Sequence, residues 1–172
     1  MKYIPKVYKK SIFDISYPKL QQQGIKCLIF DLDNTLGLVD EEYPKKEVKE
    51  LIINLKKDFD IFILTNNSKG KRVEKYKQAL QCEAIYKAAK PFTRGLKKIY
   101  NKYHYQKSEM AIIGDQLVTD IYAGTRFGIL TILVDPLAQK DLWITKFNRI
   151  RENYKLKKYK KHNSFERGKY YE

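Results

Sequence analysis

Ile25-Lys26-Cys27-Leu28-Ile29-Phe30-Asp31-Leu32-Asp33-Asn34-Thr35 decides the fold of this chain. The apolar run Cys27 to Phe30 is short, comes soon after Gly24 and stops at an acidic turn, which is the pattern of a buried strand. Two carboxylates then leave the sheet together at the carboxyl end of that strand, the edge where open α/β sheets place their ligands. Side chains alternate along a strand, so Asp31 and Asp33 fall on one side, with Leu32 opposite. One carboxylate can attack a substrate or hold a cation while the other handles protons.

A lone pair of this kind also occurs in turns where Asp and Asn bond to their own backbone. A calcium loop would put Asp31, Asp33 and Glu42 at its first, third and twelfth positions. Its sixth position needs glycine, however, and holds Leu36, and a strand precedes the loop instead of a helix.

Further along, Ile61-Phe62-Ile63-Leu64 reads as a second strand and ends at Thr65-Asn66-Asn67-Ser68. A third, around Ala84-Ile85-Tyr86, is followed by Lys90-Pro91. Ala111-Ile112-Ile113 is a fourth and ends at Gly114-Asp115, with Asp120 five residues beyond Asp115. A hydroxyl, an ammonium and two more carboxylates thus arrive where strands end or just after. In a parallel sheet they converge on one edge. Phosphoryl transfer suits such a set: a carboxylate nucleophile needs positive charge to approach a phosphate, which Mg²⁺ bound by a few carboxylates supplies. A lysine and a hydroxyl can hold the phosphoryl oxygens as charge redistributes.

The order D-x-D-x-T, apolar-Thr, Lys, G-D-x-x-x-x-D resembles the haloacid dehalogenase superfamily of phosphatases. The resemblance implies that Asp31 is the nucleophile, and that Asp33 is the general acid and base and a metal ligand through its backbone carbonyl. It implies that Thr65, Asn66 and Lys90 hold the phosphoryl group. Asp31, Asp33, Asp115 and Asp120 would form the Mg²⁺ site, Asp120 as a ligand or as a residue that orients one. DLDNTL, LTNNS, AKP and GDQLVTDIYAGTRFGILTILVDP together resemble the YqeG-type, subclass IIIA branch over residues 1–152. Phosphatidylglycerophosphate phosphatases of mitochondria and plastids belong to the same wider group, so that lipid is the leading substrate expectation. Response-regulator receivers share the parts but place the lysine last and the phosphorylated Asp on a middle strand; the order here is the phosphatase order.

Strands alternate with helical segments near 45–57, 69–81, from Phe92 onward, and 117–127, and Ile129–Val134 closes the series. The expected fold is therefore α/β, a three-layer doubly wound parallel sheet of about five strands. The intervals from Asp31 to Thr65 and from Thr65 to Lys90 each have room for a turn, a helix and a strand and for no cap domain, so the site is expected to be open under a short flap, Gly37 to Tyr43. Residues 1–152 are read as one domain with a basic lead-in, 1–23, and a last helix at 141–154. Residues 153–172 are read as a poorly packed, flexible basic tail rich in Lys and Tyr.

The formal net charge is +15, with 29 lysines among 35 basic residues. That bias fits an AT-rich genome as well as a function. The tail, with Lys157-Lys158-Tyr159-Lys160-Lys161, offers a contact for anionic membrane or RNA, and an RNA- or ribosome-assembly role with an idle site is the alternative to the enzyme. No run is long enough to cross a membrane and no signal peptide is read, so a cytoplasmic protein, peripheral at most, is expected. Cys27 and Cys82 read as structural thiols, His104 and His162 as isolated, and the glycines form no nucleotide cradle.

Overall fold

The computed structural model describes residues 4–138 and 166–172. Six strands form one sheet: β1 (Val7–Lys9), β2 (Cys27–Phe30), β3 (Asp60–Leu64), β4 (Glu83–Ile85), β5 (Met110–Gly114) and β6 (Leu130–Val134). Their order is β1-β6-β5-β2-β3-β4, and every named pair is parallel. β2 lies between β5 and β3, so the chain moves outward from it in both directions. That reversal of strand order is where a doubly wound sheet opens a crevice at its carboxyl edge.

Five α-helices cover the two faces: α1 (Tyr17–Gln22), α2 (Lys46–Leu55), α3 (Gly70–Leu80), α4 (Arg94–Tyr103) and α5 (Tyr122–Phe127). Strand alternation sorts the core. Leu28 and Phe30 pack with Val48 and Ile52 of α2 and with Val73, Tyr76 and Leu80 of α3. Cys27 and Ile29 pack on the other side, with Leu96 and Ile99 of α4 and Ala123 and Phe127 of α5. All four β2 side chains are buried, as the near-continuous apolar run of a parallel strand requires. Leu32 joins the α2/α3 side of the core, which leaves Asp31 and Asp33 opposite it.

The sheet has one strand more than the roughly five expected. β1 lies inside the basic lead-in and is only three residues long, too short for a periodicity to register. It is an edge strand, and the end of the chain covers it. Tyr171 and Tyr8 exchange backbone hydrogen bonds of 2.9 and 2.8 Å in an antiparallel bridge. The Tyr171 hydroxyl donates to the carbonyl of Pro5, and Glu172 pairs with Lys9. Residues 166–172 are mostly exposed, yet Tyr171 ties them to β1, and paired backbone here covers an exposed sheet edge. The helix expected at 141–154 and the rest of the tail through 165 lie outside the described residues. No helix among the described residues is long and apolar enough to cross a membrane.

Candidate active site

Asp31 follows β2 directly, and its amide still donates to Ile113 of β5 at 2.8 Å, so the ladder fixes its backbone. The chain then turns tightly. Asn34 takes φ 62°, and the amides of Leu36 and Gly37 both donate to the carbonyl of Leu32. Asn and Asp tolerate that left-handed conformation better than most residues. Gly37 closes the turn where a Cβ would stand 1.9 Å from the Tyr76 hydroxyl, so only glycine lets the flap approach α3.

Lys90 comes from the loop after β4. Its ammonium donates to Asp31 Oδ1 at 2.6 Å and to the carbonyl of Leu64 at 2.7 Å, and it lies 2.6 Å from Asp120 Oδ1. Burial opposes its charge, but the Asp120 and Asp31 carboxylates outweigh that and hold the ammonium above its ordinary pKa. Asn66 brackets the Lys90 backbone: its side chain donates to the Lys90 carbonyl at 2.9 Å and accepts from the Lys90 amide at 2.7 Å. The Asn66 amide group is thus committed to placing Lys90.

Asp115 ends β5, and Asp120 returns to it on a π-turn, Leu117–Ile121. Such one-turn widenings recur at functional sites. Asp120 Oδ2 accepts from the Gln116 amide at 3.1 Å. A Cβ on Gly114 would lie 2.4 Å from the Asp120 carboxyl, so the glycine is what lets that carboxylate cross the end of β5. Asp31, Asp115 and Asp120 are all buried, and one carboxylate oxygen from each lies within 4.8 Å of the others. Burial pushes the Asp31 carboxyl up, with Asp120 adding to the rise and Lys90 opposing it. Asp115 is raised by burial first and then by Asp31 and Asp120. Asp115 Oδ1 has no hydrogen-bond partner.

Thr65 is buried at the end of β3, and its hydroxyl accepts from the Asn67 amide at 3.1 Å. Asp33 faces the opening, held by two side chains that the motifs did not single out. Arg72 Nη1 donates to Asp33 Oδ1 at 2.7 Å, and Asn67 Nδ2 donates to Asp33 Oδ2 at 3.0 Å. Arg72 also donates from Nε to the carbonyl of Glu41 and from Nη2 to the carbonyl of Leu38, each at 2.6 Å. One guanidinium therefore ties Asp33 to both ends of the flap. Its one sequence signal is position. Arg72 lies four residues before Tyr76 on the buried face of α3, where a charge is out of place unless it is paired.

All seven residues assigned to the site from the sequence, Asp31, Asp33, Thr65, Asn66, Lys90, Asp115 and Asp120, lie at the carboxyl edge of β2, β3, β4 and β5. Oxygen donors alone, from three buried carboxylates, suit a hard divalent cation such as Mg²⁺. The charges agree: counted as ionised, three carboxylates face one ammonium, and burial makes the excess of two negative charges costly unless a cation answers it.

Comparison with known proteins points the same way. The family model for mitochondrial PGP phosphatase matches residues 1–138. The chain is 35% identical over 147 residues to the probable phosphatase YqeG of Bacillus subtilis (strain 168), covering 86% of each. It is 26% identical over 150 residues to phosphatidylglycerophosphate phosphatase 1, chloroplastic/mitochondrial, of Arabidopsis thaliana, covering 80% of this chain and 42% of that one. A crystal structure of an uncharacterized protein from Listeria monocytogenes serotype 4b shares the fold at a TM-score of 0.54 and 19% identity, covering 69% of this chain and 85% of that one. The family match takes in the whole sheet and every residue of the acidic crevice, and the chain accordingly belongs to the PGP phosphatase family: it is an α/β phosphatase of the YqeG type.

Proposed function

We propose that the chain hydrolyses a phosphomonoester through an aspartyl-phosphate on Asp31, with Mg²⁺ held by Asp31, Asp115 and Asp120. The observation that carries the reading is the buried charge imbalance: Lys90 is shared between Asp31 and Asp120, while Asp115 Oδ1 is left without a partner. Burying an uncompensated carboxylate is costly unless a cation or a proton answers it. Mg²⁺, when bound, supplies the two missing charges and draws the phosphate toward the carboxylates.

The chain's own groups then divide the work. An Asp31 oxygen attacks phosphorus, and the bond from phosphorus to the ester oxygen breaks. Asp33, in its acid form, gives its proton to the departing alkoxide. Water next attacks the phosphorus of the acyl phosphate, yields its proton to Asp33, and releases inorganic phosphate while the Asp31 carboxylate is regenerated. Lys90 and Thr65 hold the phosphoryl oxygens. Asn66 acts through Lys90, whose backbone it brackets, and Arg72 with Asn67 orients Asp33. Asp33 is the group nearest solvent among these acids, at 22% side-chain exposure, where the departing alkoxide and the attacking water can reach it.

The substrate we infer is a phosphorylated lipid headgroup, phosphatidylglycerophosphate first. The Arabidopsis relative, a phosphatidylglycerophosphate phosphatase, supports it. So does the uncapped crevice, since β2 to β3 and β3 to β4 are joined by little more than one helix each. The decisive experiment measures phosphate release from phosphatidylglycerophosphate micelles and from an aryl phosphate, with Mg²⁺ and after chelation. Release from the lipid that is lost on chelation and restored by Mg²⁺ supports the reading. Undiminished release after exhaustive chelation refutes the metal, and aryl phosphate turnover without lipid turnover refutes the substrate.

A further inference from the structure

Seven large apolar side chains are exposed among the described residues, and their distribution is uneven. Ile53 lies on a helix flank, in α2, and Phe13 in the 3-10 turn Ile12–Asp14 beyond β1. The others follow the carboxyl ends of strands or contact residues that do. Phe92, 64% exposed, and Tyr86, 51% exposed, lie on the loop that delivers Lys90. Tyr43, 59% exposed, ends the flap, and Leu137, 45% exposed, donates its amide to the carbonyl of Asn34 in the catalytic turn. Large apolar side chains therefore stand on several sides of the crevice mouth. A crevice for a small, soluble phosphoester has no need of this, and exposed apolar groups gathered around a functional opening mark an interaction surface.

The charges on the same edge select the partner. Two of the three flap acids are answered within the fold, Glu42 by Lys75 and Glu41 by Lys45 at 3.3 Å, and Asp40 is exposed without an ion pair among the described residues. On the Lys90 side three bases outnumber it. Lys69, Lys87 and Arg94 are exposed and form no ion pair among the described residues. Lys87 stands 6.0 Å over the Tyr86 ring, so cation and aromatic occupy one spot. Aromatic side chains beside unpaired bases suit the boundary layer of an anionic bilayer, where rings enter the headgroup region and bases meet lipid phosphates.

We propose that the crevice mouth, through Phe92, Tyr86, Tyr43 and Leu137 with Lys69, Lys87 and Arg94, docks on an anionic lipid surface. The proposal builds on the lipid-phosphatase reading and moves the membrane contact from the basic tail to the rim of the site. The buried Asp31 then faces the bilayer, and a headgroup phosphate reaches it with the acyl chains still in the membrane. A bilayer is the lid that this uncapped fold lacks.

Flotation of the full chain tests this without any turnover, so it can fail while the catalytic reading stands. Vesicles of phosphatidylcholine alone are compared with vesicles of phosphatidylcholine and phosphatidylglycerol. The wild-type chain is expected to float with the mixed vesicles, and less as salt rises. Phe92→Ser with Tyr86→Ser is expected to reduce partitioning roughly tenfold. Leu137→Ser, on a different loop, is expected to reduce it as well, while Ile53→Ser on the flank of α2 leaves it unchanged. Circular dichroism confirms that each variant is folded. Wild-type partitioning by the double variant, equal loss in Ile53→Ser, or no preference for anionic vesicles would each overturn the proposal. Aryl phosphate turnover by the wild-type chain, measured separately, reports on the catalytic reading alone.

Discussion

Arg72→Ala is the substitution that asks most of this structure. The guanidinium is buried and makes three hydrogen bonds, of 2.7, 2.6 and 2.6 Å, to Asp33, Glu41 and Leu38. It also lies 4.9 Å over the Tyr76 ring. A hydrogen bond with a charged partner contributes about 1.5–3 kcal/mol, so a plain sum reaches roughly 4.5–9 kcal/mol. The sum overstates the loss. Asp33 keeps its bonds from Asn67 and has a path to water, and the two carbonyls sit on a surface flap that can rehydrate. About 2–4 kcal/mol of destabilisation is the expected net, which lowers the melting midpoint by roughly 4–16 °C in a domain of this size.

Turnover is expected to fall further than stability suggests. General acid–base catalysis contributes about 10²–10⁴ in rate, and it depends on the proton-bearing oxygen facing the leaving group. Without Arg72 the Asp33 carboxylate loses one of its two orienting donors and the flap loses its bonds at Leu38 and Glu41, so kcat is expected to drop about tenfold to a hundredfold with KM less affected. Arg72→Lys restores a charge but not the planar fork that reaches three acceptors at once, so it recovers stability better than kcat. The assays are chemical denaturation and steady-state hydrolysis of an aryl phosphate below the melting transition. An Arg72→Ala protein with wild-type kcat would refute the orienting role, and one unfolding at the wild-type denaturant midpoint would refute the energetic account.

Asp31→Asn is expected to abolish turnover, since an amide cannot serve as the nucleophile, whereas Asp33→Asn leaves a slow reaction in which a phosphoenzyme accumulates; phosphate labelling followed by denaturing electrophoresis separates the two. Mg²⁺ should raise the melting midpoint of the wild-type chain, by about 2.7 kcal/mol of added stability at a hundredfold excess over its dissociation constant, and Asp115→Ala should erase that rise when followed by calorimetry. Gly114→Ala should fold but lose the Mg²⁺-dependent shift, because its methyl group would occupy the place of the Asp120 carboxyl, 2.4 Å away; an unchanged metal response would show that Asp120 has room to move. Deleting residues 166–172 should lower the melting midpoint by roughly 2–8 °C, because β1 loses its Tyr8–Tyr171 pairing, and a midpoint equal to that of the full chain would show the bridge to be energetically idle.

Most of the sheet was legible because parallel strands are buried on both faces and therefore read as apolar runs. Cys27–Phe30 and Ile61–Leu64 announce themselves in this way, and glycine and charged turns bound them. β1 was not legible. Its three residues, Val7-Tyr8-Lys9, sit among lysines, and their strand state comes from pairing with β6 and from Tyr171 at the far end of the chain. A partner 163 positions away leaves no mark on local composition. The tie at the end of the tail is hidden for the same reason: Tyr170 and Tyr171 look like part of a solvated charge run until Asp135 and Pro5 supply acceptors for their hydroxyls, at 2.5 and 2.9 Å.

The site divides along a similar line. Asp31, Thr65, Lys90 and Asp115 were legible because each follows a strand end, and strand ends in a doubly wound sheet share one edge. Position in sequence then stands in for position in space. What strand ends cannot show is how the groups are oriented. Arg72 sits in α3, 39 residues from Asp33, and meets it beside the place where Gly37 lets the flap lie against Tyr76. Asn66, which the resemblance makes a phosphate ligand, has its side chain gripping the Lys90 backbone. Residues that react are announced by motifs because chemistry restricts their type. Residues that hold them in place are restricted by geometry, which tolerates many sequences, and they emerge only when the donors and acceptors of a fold are traced one by one. Arg72 is the measure of that difference here. An unpaired arginine on the apolar face of a helix would cost more than most substitutions do, so its presence on that face already required an acid and carbonyls to meet it.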